Sequence, residues 1–207
     1  MKPEEIETKS FQIIDQEAGS HDFPPDQWQI VRRMVHTSAD FEYIQTVRFH
    51  PQAVQAGLRA IKAGKPIITD THMAQVGIRK NELIAFGVSV KCLITDSRVV
   101  EIARQQGITR AQAAVTAAMD GMENGIYVIG NAPTALLRLI ELINQKKARP
   151  ALIIGLPVGF VNAAESKAAL MELDFPHITN VGRKGGSTLA ASVVNALAIM
   201  AYAEHGE

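Results

Sequence analysis

Apolar residues recur at two different periods along this chain. In the first third the period is helical. Ile30, Val31, Met34 and Val35 share one face of a helix expected over residues 25–36, with Asp26 read as its N-cap. A second helix is expected over residues 50–63, with Pro51 in its first turn and Gly64 as its stop. From residue 66 onward short apolar, β-branched runs take over, at 66–70, 90–95, 126–130, 151–155 and 177–181. Near-continuous runs of this length suit strands buried on both faces. Helical stretches at 98–105, 110–122, 133–145, 163–173 and 187–204 lie between and after them. Repeated strand–helix alternation implies an α/β fold: a three-layer sandwich with a mainly parallel sheet of about five strands and helices on both faces. No linker, repeat or low-complexity tract divides the chain, so residues 1–207 are read as a single domain.

The charge balance narrows the function classes. With 21 basic and 21 acidic residues the chain lacks the basic excess that bulk nucleic-acid binding or a polybasic membrane surface requires. The zero sum is unevenly spread. Residues 1–26 hold seven acidic and two basic residues, net −5, so the remainder carries +5. One cysteine, Cys92, excludes an internal disulfide framework and any multi-cysteine metal site, and fits a reducing cytoplasm. No apolar run reaches the roughly 18 residues of a membrane span, and the opening MKPEEIE lacks the core of a signal peptide.

In open α/β sheets ligands bind beyond the carboxyl ends of the strands, and the unusual residues of this chain gather there. The fifth run leads into Gly182-Arg183-Lys184-Gly185-Gly186-Ser187 and then a helix. Glycines permit close backbone approach, helix N-termini attract anions, and two cations stand beside them. A carboxylate or phosphate cradle and a tight turn with two solvated cations both fit. Gly130-Asn131-Ala132-Pro133-Thr134 is explained largely by helix capping. The 155–161 loop, Gly-Leu-Pro-Val-Gly-Phe-Val, can face a large ring ligand or simply pack. There is no G-x-G-x-x-G, no P-loop, no H-E-x-x-H and no G-x-S-x-G, and the six histidines show no metal-ligand spacing. Nucleotide, zinc and metal mechanisms therefore have no support in the residues. His36, at a helix end after Arg32 and Arg33, reads by itself as a C-capping histidine, although an imidazole can also move a proton at neutral pH. His72 reads as a strand end or helix start, His50 as a first-turn helix residue, and Cys92 as buried core rather than a nucleophile.

Five segments in order are more specific than any of these. They are Arg-Met-Val-His (33–36), Gly-Lys-Pro-Ile-Ile-Thr-Asp-Thr-His-Met (64–73), Ile-Gly-Asn-Ala-Pro-Thr-Ala-Leu (129–136), Gly-Leu-Pro-Val-Gly-Phe-Val-Asn-Ala-Ala-Glu-Ser-Lys (155–167) and Gly-Arg-Lys-Gly-Gly-Ser (182–187). Together they resemble the precorrin-8X and cobalt-precorrin-8 methylmutases, from about Ser10 to the last helix. The resemblance implies an isomerase of corrin-ring assembly in cobalamin biosynthesis. It would shift a methyl group between adjacent carbons of a tetrapyrrole polycarboxylate, giving hydrogenobyrinate or cobyrinate, with no external cofactor. It implies a catalytic role for His36 and substrate contacts from Ser10, Arg110, Arg183, Gly185, Gly186 and Ser187. It also implies a homodimer with the site near the subunit interface, Arg110 serving its own or the neighbouring subunit's site. The alternatives are a non-catalytic tetrapyrrole carrier and a nucleotide-dependent α/β enzyme.

Overall fold

The computed structural model describes residues 3–205. The chain opens with helices α1 (Pro3–Ala18), α2 (Pro25–Ser38) and α3 (Glu42–Thr46), then strand β1 (Val47–Phe49) and helix α4 (Ala53–Lys62). Strand β2 (Ile67–Thr69), short helices α5 (His72–Gly77) and α6 (Asn81–Ile84), and strand β3 (Val90–Cys92) follow. Next come α7 (Ser97–Gln106), α8 (Arg110–Ala117), β4 (Ile126–Ile129), α9 (Pro133–Asn144), β5 (Leu152–Gly155), α10 (Ala163–Met171), β6 (His177–Asn180) and α11 (Ser187–Ala203).

The strands form one sheet in the order β1-β6-β5-β4-β2-β3. All neighbours are parallel except β1, which runs antiparallel to β6 with Val47 opposite Asn180. The five expected strands are all present. The sixth, β1, was not expected, because three residues are too few to show a period. Strands β2, β4, β5 and β6 are buried throughout, as their apolar runs require, whereas β3 is a half-buried edge strand. Cys92 is accordingly half-buried rather than enclosed in the core.

Alternating strand residues feed two cores. Ile67, Val128, Leu152, Ile154 and Ile178 meet α2, α4 and α11 on one face. Ile68, Tyr127, Ile129 and Ile153 meet α8, α9 and α10 on the other. Helix α11 is apolar nearly all round because other helices cover it, with α2, α4 and α5 packed against it. Small residues allow that approach. A Cβ on Gly57 would lie 2.9 Å from Leu152 and Leu197 side-chain carbons.

Two local expectations are corrected. Helix α2 is capped by Pro24, not Asp26, because Pro25 already has helical φ and no N–H to be capped; Asp26 accepts from its neighbour Gln27 instead. Helix α4 starts at Ala53 rather than near His50. The His50 carbonyl accepts from Ala53 N in a turn, and His50 itself faces Asp174 and His177. Gly64 ends the α4 segment at φ +66°, as expected of a stop.

Candidate active site

The chain leaves β2 toward β3 on one side and returns to β4 on the other. That reversal is where an open parallel sheet makes its ligand crevice. Here the crevice is closed from within. The Asp70 carboxylate, 2% exposed, accepts from the backbone N–H groups of Gly130 (3.0 Å), Asn131 (2.9 Å) and Ala132 (2.8 Å). It thereby caps α9, whose own N-cap residue, Ala132, contributes no side-chain bond. Burial raises the Asp70 pKa, and the three N–H bonds pull it back. Beside it, Thr71 Oγ1 lies 2.8 Å from Ser187 Oγ, tying β2 to the start of α11. The Gly-Asn-Ala-Pro-Thr segment is therefore a structural cap, and its first three N–H groups already have an acceptor.

The last loop, residues 182–187, lies next to this staple. Gly185 is pressed against the 155–161 loop, where a Cβ would come within 2.3 Å of the Leu156 oxygen and 2.7 Å of the Pro157 oxygen. Gly186 N donates to the Leu156 carbonyl at 2.9 Å and takes φ +135°, a conformation open to glycine. The Arg183 guanidinium sits 5.5 Å over the Phe160 ring. Val158, Phe160, Val161 and Val181 are exposed apolar residues of these two loops, with Phe160 84% exposed. Helix α11 begins behind the loop with no side-chain cap at Gly186. The loop thus combines an exposed apolar rim, one cation, Arg183, with no carboxylate partner among the described residues, and a helix N-terminus. Those are the features that suit a large ring edged with carboxylates.

His36 occupies the last turn of α2. The C-capping reading does not hold. The turn is closed by Ala39 N donating to the Val35 carbonyl (2.7 Å), with Ala39 in the left-handed region at φ 53°. The Thr37 and Ser38 hydroxyls bond the carbonyls of Arg33 and Met34. The exposed His36 imidazole makes no hydrogen bond among the described residues; its ring rests 5.1 Å from the Phe11 ring of α1. Phe11 in turn lies under the guanidinium groups of Arg32 (4.5 Å) and Arg33 (5.1 Å). Ion pairs Arg32–Asp15 (2.9 Å) and Arg33–Glu7 (3.0 Å) fasten α1 to α2. Ser10, the residue before Phe11, is half-buried and donates to the Ile6 carbonyl of its own helix.

The end of α2 and the 182–187 loop are joined by Lys184, whose ammonium binds both Asp40 and Glu42. Those two carboxylates push the Lys184 pKa up, and they stand just past the helix that carries His36. Ser10, His36, Arg183 and Gly185–Ser187 are thus held on one side of the molecule by α1, α2 and the α11 loop. Arg110 is not. It starts α8, which packs with α9 against the opposite face of the sheet. His72 is spoken for: its ring nitrogens lie 3.0 Å from Gln75 Oε1 and Thr95 Oγ1. Burial pushes the Cys92 thiol pKa up, which suits an inert side chain.

Sequence reasoning missed a cavity of about 350 Å³ one turn back along α2, lined by Phe11, Arg32, Arg33, Arg79, Glu7 and Glu82 among others. Its cations are matched by carboxylates, Arg79–Glu82 at 2.6 Å included, so it offers no net positive charge. No spacing in the sequence signals it, because it is built from four separate segments.

Comparison with known proteins identifies the family. Residues 5–200 match the family model described as precorrin-8X methylmutase. The cobalt-precorrin-8 methylmutase of Priestia megaterium is 49% identical over 201 residues, covering 97% of this chain and 89% of that protein. The precorrin-8X methylmutase of Pseudomonas aeruginosa is 38% identical over 195 residues, covering 93% of each. A crystal structure of a precorrin-8x methyl mutase from Thermus thermophilus superposes with a TM-score of 0.91 at 48% identity, covering 97% of both chains.

Proposed function

The chain belongs to the precorrin-8X methylmutase family, isomerases of cobalamin biosynthesis, and we propose that it carries out the family's methyl shift with His36 as its proton donor and acceptor. The substrate is precorrin-8 or its cobalt form, and the methyl group moves between adjacent ring carbons to give hydrogenobyrinate or cobyrinate. The observation that carries the reading is the His36 ring: exposed, backed by Phe11, and without a hydrogen-bond partner among the described residues. A capping histidine would be engaged with a carbonyl. This one is left free to meet a ligand.

Substrate and product contain the same atoms, so the step needs no oxidant, reductant or group donor, and no external cofactor enters the proposal. His36 in its imidazolium form gives a proton to a ring nitrogen or adjacent carbon. That selects the tautomer in which the methyl group migrates, and neutral His36 then takes the proton back. Arg183 and the N–H groups of Gly185 and Ser187 hold carboxylates at the ring edge, Gly186 shapes the turn between them, and Ser10 adds a donor when its hydroxyl turns from the Ile6 carbonyl to the ligand. The Phe160 loop holds the ring face. Arg110, on the far side of the sheet, serves the site of a second copy, so the working unit is a homodimer of single-domain chains spanning residues 1–207. The lone thiol Cys92 suits a cytoplasmic enzyme.

The test is His36→Ala, assayed with precorrin-8 and with cobalt-precorrin-8. Pigment binding should persist while conversion is lost. Conversion at the parental rate would remove His36 from the mechanism. A parent that binds both pigments and converts neither would make the protein a carrier. The Priestia relative named for the cobalt substrate is the more similar of the two cited, which favours the cobalt form as the faster substrate.

A further inference from the structure

Among the described residues Lys167 is the one fully buried cation. It lies on α10 with 0% exposure, among the largest fully buried side chains, and has no carboxylate partner among those residues. Its ammonium donates to two neutral oxygens, Asn180 Oδ1 at 3.1 Å and the Lys184 carbonyl at 2.6 Å. The Asn180 amide donates to the same carbonyl at 3.0 Å. An enclosed charge without a counter-ion is costly to bury. Such a group points to a task other than stability.

The task is visible one residue further on. The backbone of Lys184 is gripped from inside the core, and its side chain is gripped from outside by Asp40 and Glu42. Asp40 Oδ1 also accepts from Glu42 N at 3.0 Å, so the turn after α2 closes around the same carboxylate. We propose that Lys167 is a positioning residue: through the Lys184 carbonyl and the Lys184–Asp40–Glu42 contacts it latches the 182–187 loop to the end of the helix that bears His36. This deepens the function proposed above and rests on it. Burial pushes the Lys167 pKa down to about 8, in keeping with a cation that depends on those two oxygens.

The experiment uses two variants of the full chain, Lys167→Met and the surface change Lys184→Met. Amide hydrogen exchange is followed in segments 182–187 and 38–42, with kcat and KM measured alongside. Lys167→Met should speed exchange in both segments and leave the other segments at parental rates, although residue 167 touches neither Asp40 nor Glu42; the melting temperature should fall, because Asn180 Oδ1 loses its donor. Either variant should lower kcat about tenfold and also raise KM, because the freed loop misplaces the end of the His36 helix and holds the substrate's carboxylates less firmly. The double variant should lose no more than Lys167→Met alone, because both changes break one latch. Faster exchange confined to 182–187, or parental kcat in either variant, overturns the proposal. If Lys167→Met does not fold, Lys167→Gln, which keeps a polar side chain but removes the charge and shortens the reach, decides by the same readings. If the parent itself converts neither pigment, the methyl-shift reading falls, and the exchange at 38–42 still decides whether the latch exists.

Discussion

Asp70 and Gly185 show what single residues do at this site. The Asp70 carboxylate has two acceptor oxygens for three N–H groups, whereas an asparagine has one oxygen and an NH2 that would face a donor. Asp70→Asn should therefore destabilise the protein by about 3 kcal/mol, the scale of a lost buried bond to a charged group, read from urea unfolding. An unchanged midpoint would show that the α9 cap is replaceable. Gly185 is set by packing rather than by ligand approach, because the atoms a Cβ would strike belong to the Leu156 and Pro157 backbone. Gly185→Ala should displace the 182–187 loop, costing about 1–3 kcal/mol and weakening pigment binding. The sequence showed that a glycine stood here. The reason it must is a neighbour 29 positions away.

At the scale of elements, the β1–β6 edge carries a pH response. His177 opens β6 with its ring 5.8 Å from that of His50, which also lies 3.1 Å from Asp174. Burial, then the nearby His50, hold the His177 pKa below its ordinary value, while its bond to the Phe175 carbonyl works the other way. The folded state thus binds this proton less readily than the unfolded chain does. Stability is complete above about pH 6.5 and is lost as pH falls below it. The urea midpoint should decline from pH 7 to pH 5.5, and His177→Gln should flatten that decline; equal slopes would show that His177 does not contribute. The sequence displayed β6 clearly, as a buried apolar run. It hid β1, because a three-residue antiparallel edge strand has no period of its own and exists only by pairing with β6.

For the whole molecule, the separation of His36 and Arg110 by the sheet is the decisive arrangement. If each site takes His36 from one copy and Arg110 from the other, then His36→Ala and Arg110→Ala proteins, each inactive alone, should complement after mixing and subunit exchange. Half of a random mixture is heterodimer with one intact site of two, so activity should recover to about a quarter of the parental level. No recovery, despite heterodimers seen by native mass spectrometry, would place Arg110 in its own subunit's site or outside any site.

Sequence alone determined the class of fold, since buried parallel strands and their covering helices leave separate local periods. It also supplied the family resemblance, because that rests on which residues follow one another, and it placed the catalytic expectation on His36. Tertiary structure decided what each site residue has available. Asp70 occupies the N–H groups of residues 130–132, Thr95 engages His72, and Lys184 binds the His36 helix end to the last loop. A hydrogen bond needs its partner within about 3 Å in space, and these partners lie tens of residues apart in the chain, where no local pattern records them.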